Sequence, residues 1–374
     1  MLRLKHLTLI NYRNHASTEL EFTSPVNVLV GGNGEGKTNI LEAIYYLATG
    51  RSHRNSRDAD ILNWNADYFS VRGEIERRPG MAHFDVYYTR KGQKRIRINR
   101  KEIKKLSELV GQFGVVMFSP ENLQIVQGSP QERRKYLDFA ASQSNGQYFF
   151  YLQQYHQVLT QRNQLLKAIQ EGKDKGESLP VWNQQLIDAG VEVIIRRRQY
   201  AEKLKTIIAP IHERLSDGSE SLEVKYVGTL SSSEHDSPDT IRGIFNEKIC
   251  RLEKAERIRG YTLVGPHRDD LLISANQIDL RFYGSQGQQR TAALSLKLAE
   301  VEIVKDGMGE CPVLLLDDVM SELDDFRRKQ LLSIMDGTFQ TFISSTNLNP
   351  FQGKISQEYS VHRVKQGTVT RWTS

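Results

Sequence analysis

At 374 residues, with 39% hydrophobic and 26% charged residues, the chain is long enough for more than one core and has an ordinary globular composition. No run approaches the roughly 20 apolar residues of a membrane helix, and the N-terminus lacks a signal-type apolar block. The two cysteines, Cys250 and Cys311, show neither metal nor redox spacing, so a reduced cytoplasmic protein with no membrane partner is expected. The net charge of +6 favours a polyanionic partner without requiring one.

The opening LRLKHLTLI alternates as a strand, and VNVLV (Val26 to Val30) is an apolar run of the kind buried on both faces. It enters GGNGEGKT, which matches the phosphate-loop pattern G-x-x-x-x-G-K-[ST] in full. A chance match in such a chain has a probability on the order of 1%. Gly31, Gly32, Asn33, Gly34, Glu35, Gly36, Lys37 and Thr38 are therefore the expected nucleotide site. The glycines let backbone N–H groups approach phosphate oxygens. Lys37 offers a cation to the β- and γ-phosphates, and the Thr38 hydroxyl offers a ligand to Mg²⁺. TNILEAIYYL leaves the loop as a helix whose N-terminus faces the anion. ATP with Mg²⁺ is the expected cofactor, and the alternative is an ordinary tight Gly-rich turn.

Further strands are expected at YFSVRGEI, HFDVYYTR, KRIRIN and VVMF. Between Arg90 and Lys105 the chain carries nine Lys or Arg and a single Glu, with a hairpin turn expected near Asn99 to Lys101. Lys91, Lys94, Arg95, Arg97, Arg100, Lys101, Lys104 and Lys105 are candidate contacts to a DNA backbone, read without sequence preference. The alternative is a solvated hairpin surface. No stacking platform of exposed aromatics is evident, so backbone binding is expected.

Residues 126–260 read mainly as helix. Ser129-Pro130-Gln131-Glu132 has the form of a capping box with proline at the first helical position. Leu152, Tyr155, Leu159, Leu166 and Ile169 fall at heptad spacing interrupted by Arg162. A second series follows the break EGKDKGESLP: Leu186, Val193, Tyr200, Leu204, Ile207 and Ile211. Two antiparallel arms of roughly 40 Å each, or two core helices of a globular lobe, both fit this pattern. Arg196, Arg197 and Arg198 are a second, weaker DNA candidate.

Strands are expected again from 261 onward, at YTLVG, CPVLLLDD and TFQTFISS. YGSQGQQRTAALSLKLAEVEIV reads as a loop opening an amphipathic helix, and its S-x-G-Q core is a weak signal alone. In VLLLDDVMSELD, Asp317 ends a buried-type strand where a phosphate loop needs a carboxylate for Mg²⁺, and Asp318 is placed to polarise water. Paired aspartates also serve as helix caps or ion-pair partners. The expected fold is α/β, with residues 1–125 and 261–374 forming one head and 126–260 an inserted helical lobe.

Taken together, the phosphate loop, the acidic strand and the S-x-G-Q segment resemble the motifs of ABC-type ATPases. The resemblance implies a head with a phosphate-loop α/β core and a β-rich subdomain, carrying an inserted lobe and no long coiled coil. It also implies that Ser285, Gly287 and Gln288 act in trans on the γ-phosphate held by a second copy, and that SELD (Ser321 to Asp324) crosses the dimer interface. LTLINYRNH resembles the opening of the chromosome-maintenance and break-repair branch. GRSHRNSRDADIL, FSPENLQIVQGSPQERRKYLD and TLVGPHRDDL resemble the recombination mediators within it.

That resemblance implies an ATP-dependent homodimer with slow, DNA-stimulated hydrolysis, binding double-stranded and single-stranded or gapped DNA. It further implies work with RecR and RecO to load recombinase at gaps, in repair, replication restart and the SOS response. The sequence departs from the wider pattern in three places. Asp318 stands where glutamate is usual, and Thr346 stands at the switch position where transporters carry histidine. The glutamine-loop residue is not evident, with Glu121 and Gln124 as candidates. A transporter's coupling subunit and a DNA-binding protein with an inert nucleotide site are the competing readings. Intact Lys37, Thr38, Asp317 and Asp318 argue against the second.

Overall fold

The computed structural model describes residues 2–54, 57–78, 80–230, 236–334, 338–348 and 359–372. The chain divides into two compact units, Met1–Asn122 with Glu300–Ser374, and Leu123–Ala299.

The first unit holds two six-stranded sheets. One is antiparallel, in the order His15–Glu21, Arg3–Tyr12, Tyr68–Arg77, Gly80–Thr89, Lys94–Ile98, Lys101–Ile103. Its inner face follows the alternation of the sequence. Along the first strand, however, the buried residues shift from Leu4 to Leu7 and Leu9, and the register slips between Leu4 and His6. A bulge explains both. The backbone groups it frees are not orphaned, because the buried Gln340 amide donates to the Leu4 carbonyl (2.8 Å) and accepts from its N–H (2.7 Å).

The other sheet runs Thr368–Trp372, Tyr359–Lys365, Val26–Val30, Thr341–Ser345, Val313–Asp317, Val115–Phe118, parallel except for the first. Four of its strands, Val26–Val30, Thr341–Ser345, Val313–Asp317 and Val115–Phe118, are buried at every position, which is why they read as apolar runs. Helix Lys37–Thr49 buries Ile40, Leu41, Ile44 and Leu47, and shares a core with Leu4, Leu9, Phe69, Val86, Leu315 and Phe342.

The second unit contains long helices at Pro130–Ser144, Gly146–Gln170, Leu179–Leu215 and Pro238–Arg259, and a sheet ordered Ile278–Asp279, Asp270–Ala275, Leu222–Val227. The heptad helices pack on each other and on Pro238–Arg259, so they are core helices of a lobe. At 1.5 Å per residue they are roughly 37 and 55 Å long, the second exceeding the expected arm. Arg162, which breaks the seam, is fully buried. It pairs with Glu256 at 2.6 Å and donates to Asn183 Oδ1 at 2.8 Å and Thr262 Oγ1 at 2.7 Å. A buried guanidinium is tolerable only with its donors taken up in this way.

Four expectations change. The return to the first unit comes at Glu300 rather than 261, because Leu222–Val227 and Asp270–Ala275 pair within the second unit. YTLVG is not a strand: Thr262 is fastened there by Arg162 and by Asn163 Oδ1. Ser129 does cap the helix starting at Pro130, but through its carbonyl, which accepts from Glu132 N–H at 3.0 Å, and not through its side chain. Arg197 and Arg198 are buried, Arg197 against Asp138 and the Pro266 carbonyl. Arg196 pairs with Glu192 and lies over the Tyr151 ring, so this triplet is packing and not a DNA patch.

Candidate nucleotide site

The parallel sheet brings the expected site residues to the carboxyl ends of neighbouring strands, where α/β folds place their ligands. Gly31 follows Val30, Asp317 ends its strand, and Thr346 follows Ser345. Gly36 has φ 114°, and a Cβ there would lie 2.7 Å from Asn14 Oδ1 and 2.8 Å from His15 Nε2, so only glycine fits. A Cβ on Gly31 would meet the Val364 carbonyl at 2.2 Å.

Lys37 Nζ donates to the Gly31 and Gly32 carbonyls at 2.8 and 2.7 Å. Burial lowers its pKa, against which Asp318, Asp317 and Glu35 act. Thr38 Oγ1 donates to Asp317 Oδ1 at 2.8 Å, and Ser344 Oγ donates to the same oxygen at 2.7 Å. The hydroxyl and carboxylate that a Mg²⁺ ion would share are thus already side by side, an oxygen donor set suited to that ion. Asp318 takes the left-handed conformation, φ 52°. Its N–H is held by Ser344 Oγ, and its carbonyl and carboxylate accept from Ser321 Oγ. A non-glycine residue fixed in this region at a strand end is a feature of functional sites.

Several supporting residues escaped the motif reading. His15 is buried with Nε2 at 3.1 Å from the Gly36 carbonyl and Nδ1 at 2.8 Å from the Gly367 carbonyl. Asn14 Nδ2 donates to the Glu35 carbonyl at 3.0 Å, as does Gly367 N–H. Arg13 forks onto Glu42 of the loop's helix at 2.9 and 2.6 Å, and Ser52 Oγ donates to the same carboxylate. Burial alone would raise Glu42, but the Arg13 and Ser52 bonds outweigh it and hold its pKa below the usual value. Arg13, Asn14 and His15 lie within LTLINYRNH, so a signal was present. Glu42 and Ser344 gave none.

The S-x-G-Q segment belongs to the second unit. Ser285, Gln286 and Gly287 are exposed ahead of and within helix Gln286–Met308. Gln288 Oε1 accepts from Ser285 N–H at 2.9 Å, and Ser285 Oγ accepts from Gln288 N–H at 3.2 Å, a reciprocal cap. Thr346 is exposed, and its hydroxyl accepts from Asn347 Nδ2 at 3.4 Å. Glu121 is exposed on the turn after Val115–Phe118, and Gln124 is exposed in the second unit.

The basic hairpin turns at Asn99 and Arg100, both with positive φ, as expected. Lys91, Arg95, Arg97, Arg100, Lys101, Lys104 and Lys105 are exposed. Arg97 faces Asp85 on one side and Glu102 on the other, which dilutes its charge. Lys94 departs from the set: Nζ sits 2.9 Å from Asp58, donates to the Gly50 carbonyl, and lies 4.6 Å over the Tyr46 ring. Lys94→Glu is therefore expected to destabilise the fold by on the order of 2 kcal/mol, lowering Tm by about 4–8 °C. Arg100→Glu should leave the melt unchanged, and equal melting curves for the two variants would refute this packing role.

A family model described as an AAA domain matches residues 6–220. The DNA replication and repair protein RecF of Bacillus cytotoxicus is 42% identical over 366 residues, covering 98% of both chains. Its counterpart in Bacillus velezensis is 41% identical over 369 residues, covering 98% of this chain and 100% of its own. A structure of the recombination mediator protein RecF with ATP, in the RecFOR pathway, superposes with a TM-score of 0.93 at 37% identity, covering 100% of this chain and 98% of that one. The Smc head domain of Pyrococcus furiosus superposes at 0.56 with 16% identity over 100% of this chain and 96% of that one, which shows a shared fold. The architecture is that of an ABC-type ATPase head with an inserted lobe, and no long coiled coil is seen among the described residues.

Proposed function

The chain belongs to the RecF family of DNA replication and repair proteins, and on that footing we propose that it is an ATP-gated DNA clamp that helps load recombinase at single-strand gaps. The observation that carries the reading is the exposed, pre-capped helix start at Ser285 on a chain that also carries a complete phosphate loop. A helix N-terminus offering N–H groups and a hydroxyl to solvent suits a γ-phosphate presented by a second copy.

In this mechanism the N–H groups of the loop from Gly31 to Gly36 cradle the phosphates, and Lys37 exchanges the Gly31 and Gly32 carbonyls for phosphate oxygens. Thr38 and Asp317 would hold Mg²⁺, whose charge offsets that of the β- and γ-phosphates. Asp318 polarises the attacking water, and being one methylene shorter than glutamate it does so slowly. Ser285, Gly287 and Gln288 of the other copy close the site, with Thr346 at the switch position. The exposed cations near the hairpin attract the DNA backbone, and RecR and RecO are the proposed protein partners.

Sedimentation velocity tests the reading. A shift from monomer to dimer is expected on adding ATP and Mg²⁺, with reversal as hydrolysis proceeds. A chain that stays monomeric at saturating ATP, or is already dimeric without it, defeats the clamp.

A further inference from the structure

Beyond the basic hairpin, the first unit displays aromatic rings among cations. Trp64 is 92% exposed, the most open of the large apolar side chains described. It stands on a braced turn. Arg90 Nη2 donates to the Trp64 and Ala66 carbonyls, both at 2.7 Å, Ala66 N–H donates to the Asn63 carbonyl, and Asn63 Nδ2 donates to the Arg13 carbonyl at 2.9 Å. The backbone that carries Trp64 is therefore fixed by several hydrogen bonds.

On the solvent face of the adjoining sheet, Tyr68 and Tyr87 pack with ring centroids 5.2 Å apart and planes tilted by 32°. Arg95 lies directly opposite Tyr87 on the next strand, on the same face. Arg95 and Lys91 are exposed and lie outside every ion pair seen among the described residues. Arg72 and Arg90 add two cations, partly offset by Asp85 and Asp67 at 3.7 and 3.8 Å. The patch is thus aromatic and net positive.

We propose that Trp64, Tyr68 and Tyr87, flanked by Lys91 and Arg95, form a stacking surface for single-stranded DNA. An unpaired strand bares its base faces, whereas a duplex hides them, so rings between cations favour the former. This replaces the expectation of backbone contacts alone. The inference rests on the DNA-binding reading above and adds to it a preference for unpaired bases.

The test uses the full chain with ATP, a fluorescein-labelled thirty-nucleotide oligo(dT) and a duplex of equal length. Trp64→Ala combined with Tyr68→Ala is expected to weaken oligo(dT) binding by about 10-fold or more, with duplex binding changed by less than about twofold. Trp64→Phe should restore part of the loss, since a ring is what stacks. Tryptophan emission of the wild type should be quenched by oligo(dT), and the Trp64→Phe variant should lose that quenching. Wild-type oligo(dT) affinity in the double variant overturns the stacking surface alone and leaves a protein as the patch's occupant. An equal loss for both DNA forms also overturns it. If the wild-type chain binds neither DNA, the functional reading falls as well.

Discussion

Lys37→Ala is expected to weaken ATP binding about 100-fold, the equivalent of roughly 3 kcal/mol. The ammonium is the only side-chain cation seen in the loop, and it is held against the Gly31 and Gly32 carbonyls, so it is already aimed along the path of the phosphates. Its removal leaves no side-chain cation of the loop facing the β- and γ-phosphates. Lys37→Arg keeps the charge but brings a wider, planar head into a space shaped for a point charge, so it should bind ATP and hydrolyse it poorly. Equilibrium titration with labelled ATP reads both. If the alanine variant keeps wild-type affinity, the phosphates do not lie where the loop places them.

The second large effect separates a composite site from an ordinary phosphate-loop enzyme. Ser285→Arg should leave ATP binding by the monomer nearly intact while abolishing ATP-induced dimerisation and, with it, hydrolysis. Ser285 is exposed, and the substitution removes the bond from Gln288 N–H to its hydroxyl, a helix cap worth about 1 kcal/mol. A bulky cation there replaces a small hydroxyl at the proposed contact with a second copy. Asp318→Asn should act in the opposite sense: it keeps the shape held by Ser344 and Ser321 but removes the base, trapping an ATP-bound dimer. Mixing Ser285→Arg chains with Lys37→Ala chains builds one intact composite site and one doubly damaged site. Activity should return to at most about half of wild type if the sites act independently. Analytical ultracentrifugation and steady-state ATPase assays decide. Normal dimerisation of Ser285→Arg, or loss of ATP binding by its monomer, sinks the trans arrangement.

Most of the fold was legible because its signals are local. The parallel strands are buried on both faces and show as apolar runs, and the antiparallel ones alternate. What stayed hidden depends on pairing between distant segments. SLEVKYV in the helical stretch becomes a strand only because Asp270–Ala275 offers it an edge. YTLVG has strand composition, but Arg162 and Asn163 take up Thr262 instead. The basic hairpin was read as one set of charges, yet Lys94 has a side-chain partner 36 residues away in Asp58, which spacing does not reveal. The phosphate loop announced itself, while its braces, Asn14, His15 and the Gly367 turn, come from both ends of the chain. The aromatic patch was missed for a related reason. Trp64, Tyr68 and Tyr87 look like strand and loop residues until the register puts two of them on one face.

The interleaving of the two chain ends has a consequence for how the protein is made. Val26–Val30, the strand that carries the phosphate loop, bonds on one side to Thr341–Ser345 and on the other to Tyr359–Lys365. Both neighbours are synthesised roughly 300 residues after it, a delay on the order of 15 to 60 s at ordinary elongation rates. Until those strands are made the loop is a motif without a sheet: Gly31 has no Val364 beside it, and the Glu35 carbonyl has no Gly367 N–H. The intervening segment Leu123–Ala299 pairs its own strands and buries its own charges, and it is made before either neighbour. A product cut short before Thr341 therefore carries the full loop sequence without the strands that flank it, so the nucleotide pocket depends on segments made roughly 300 residues later.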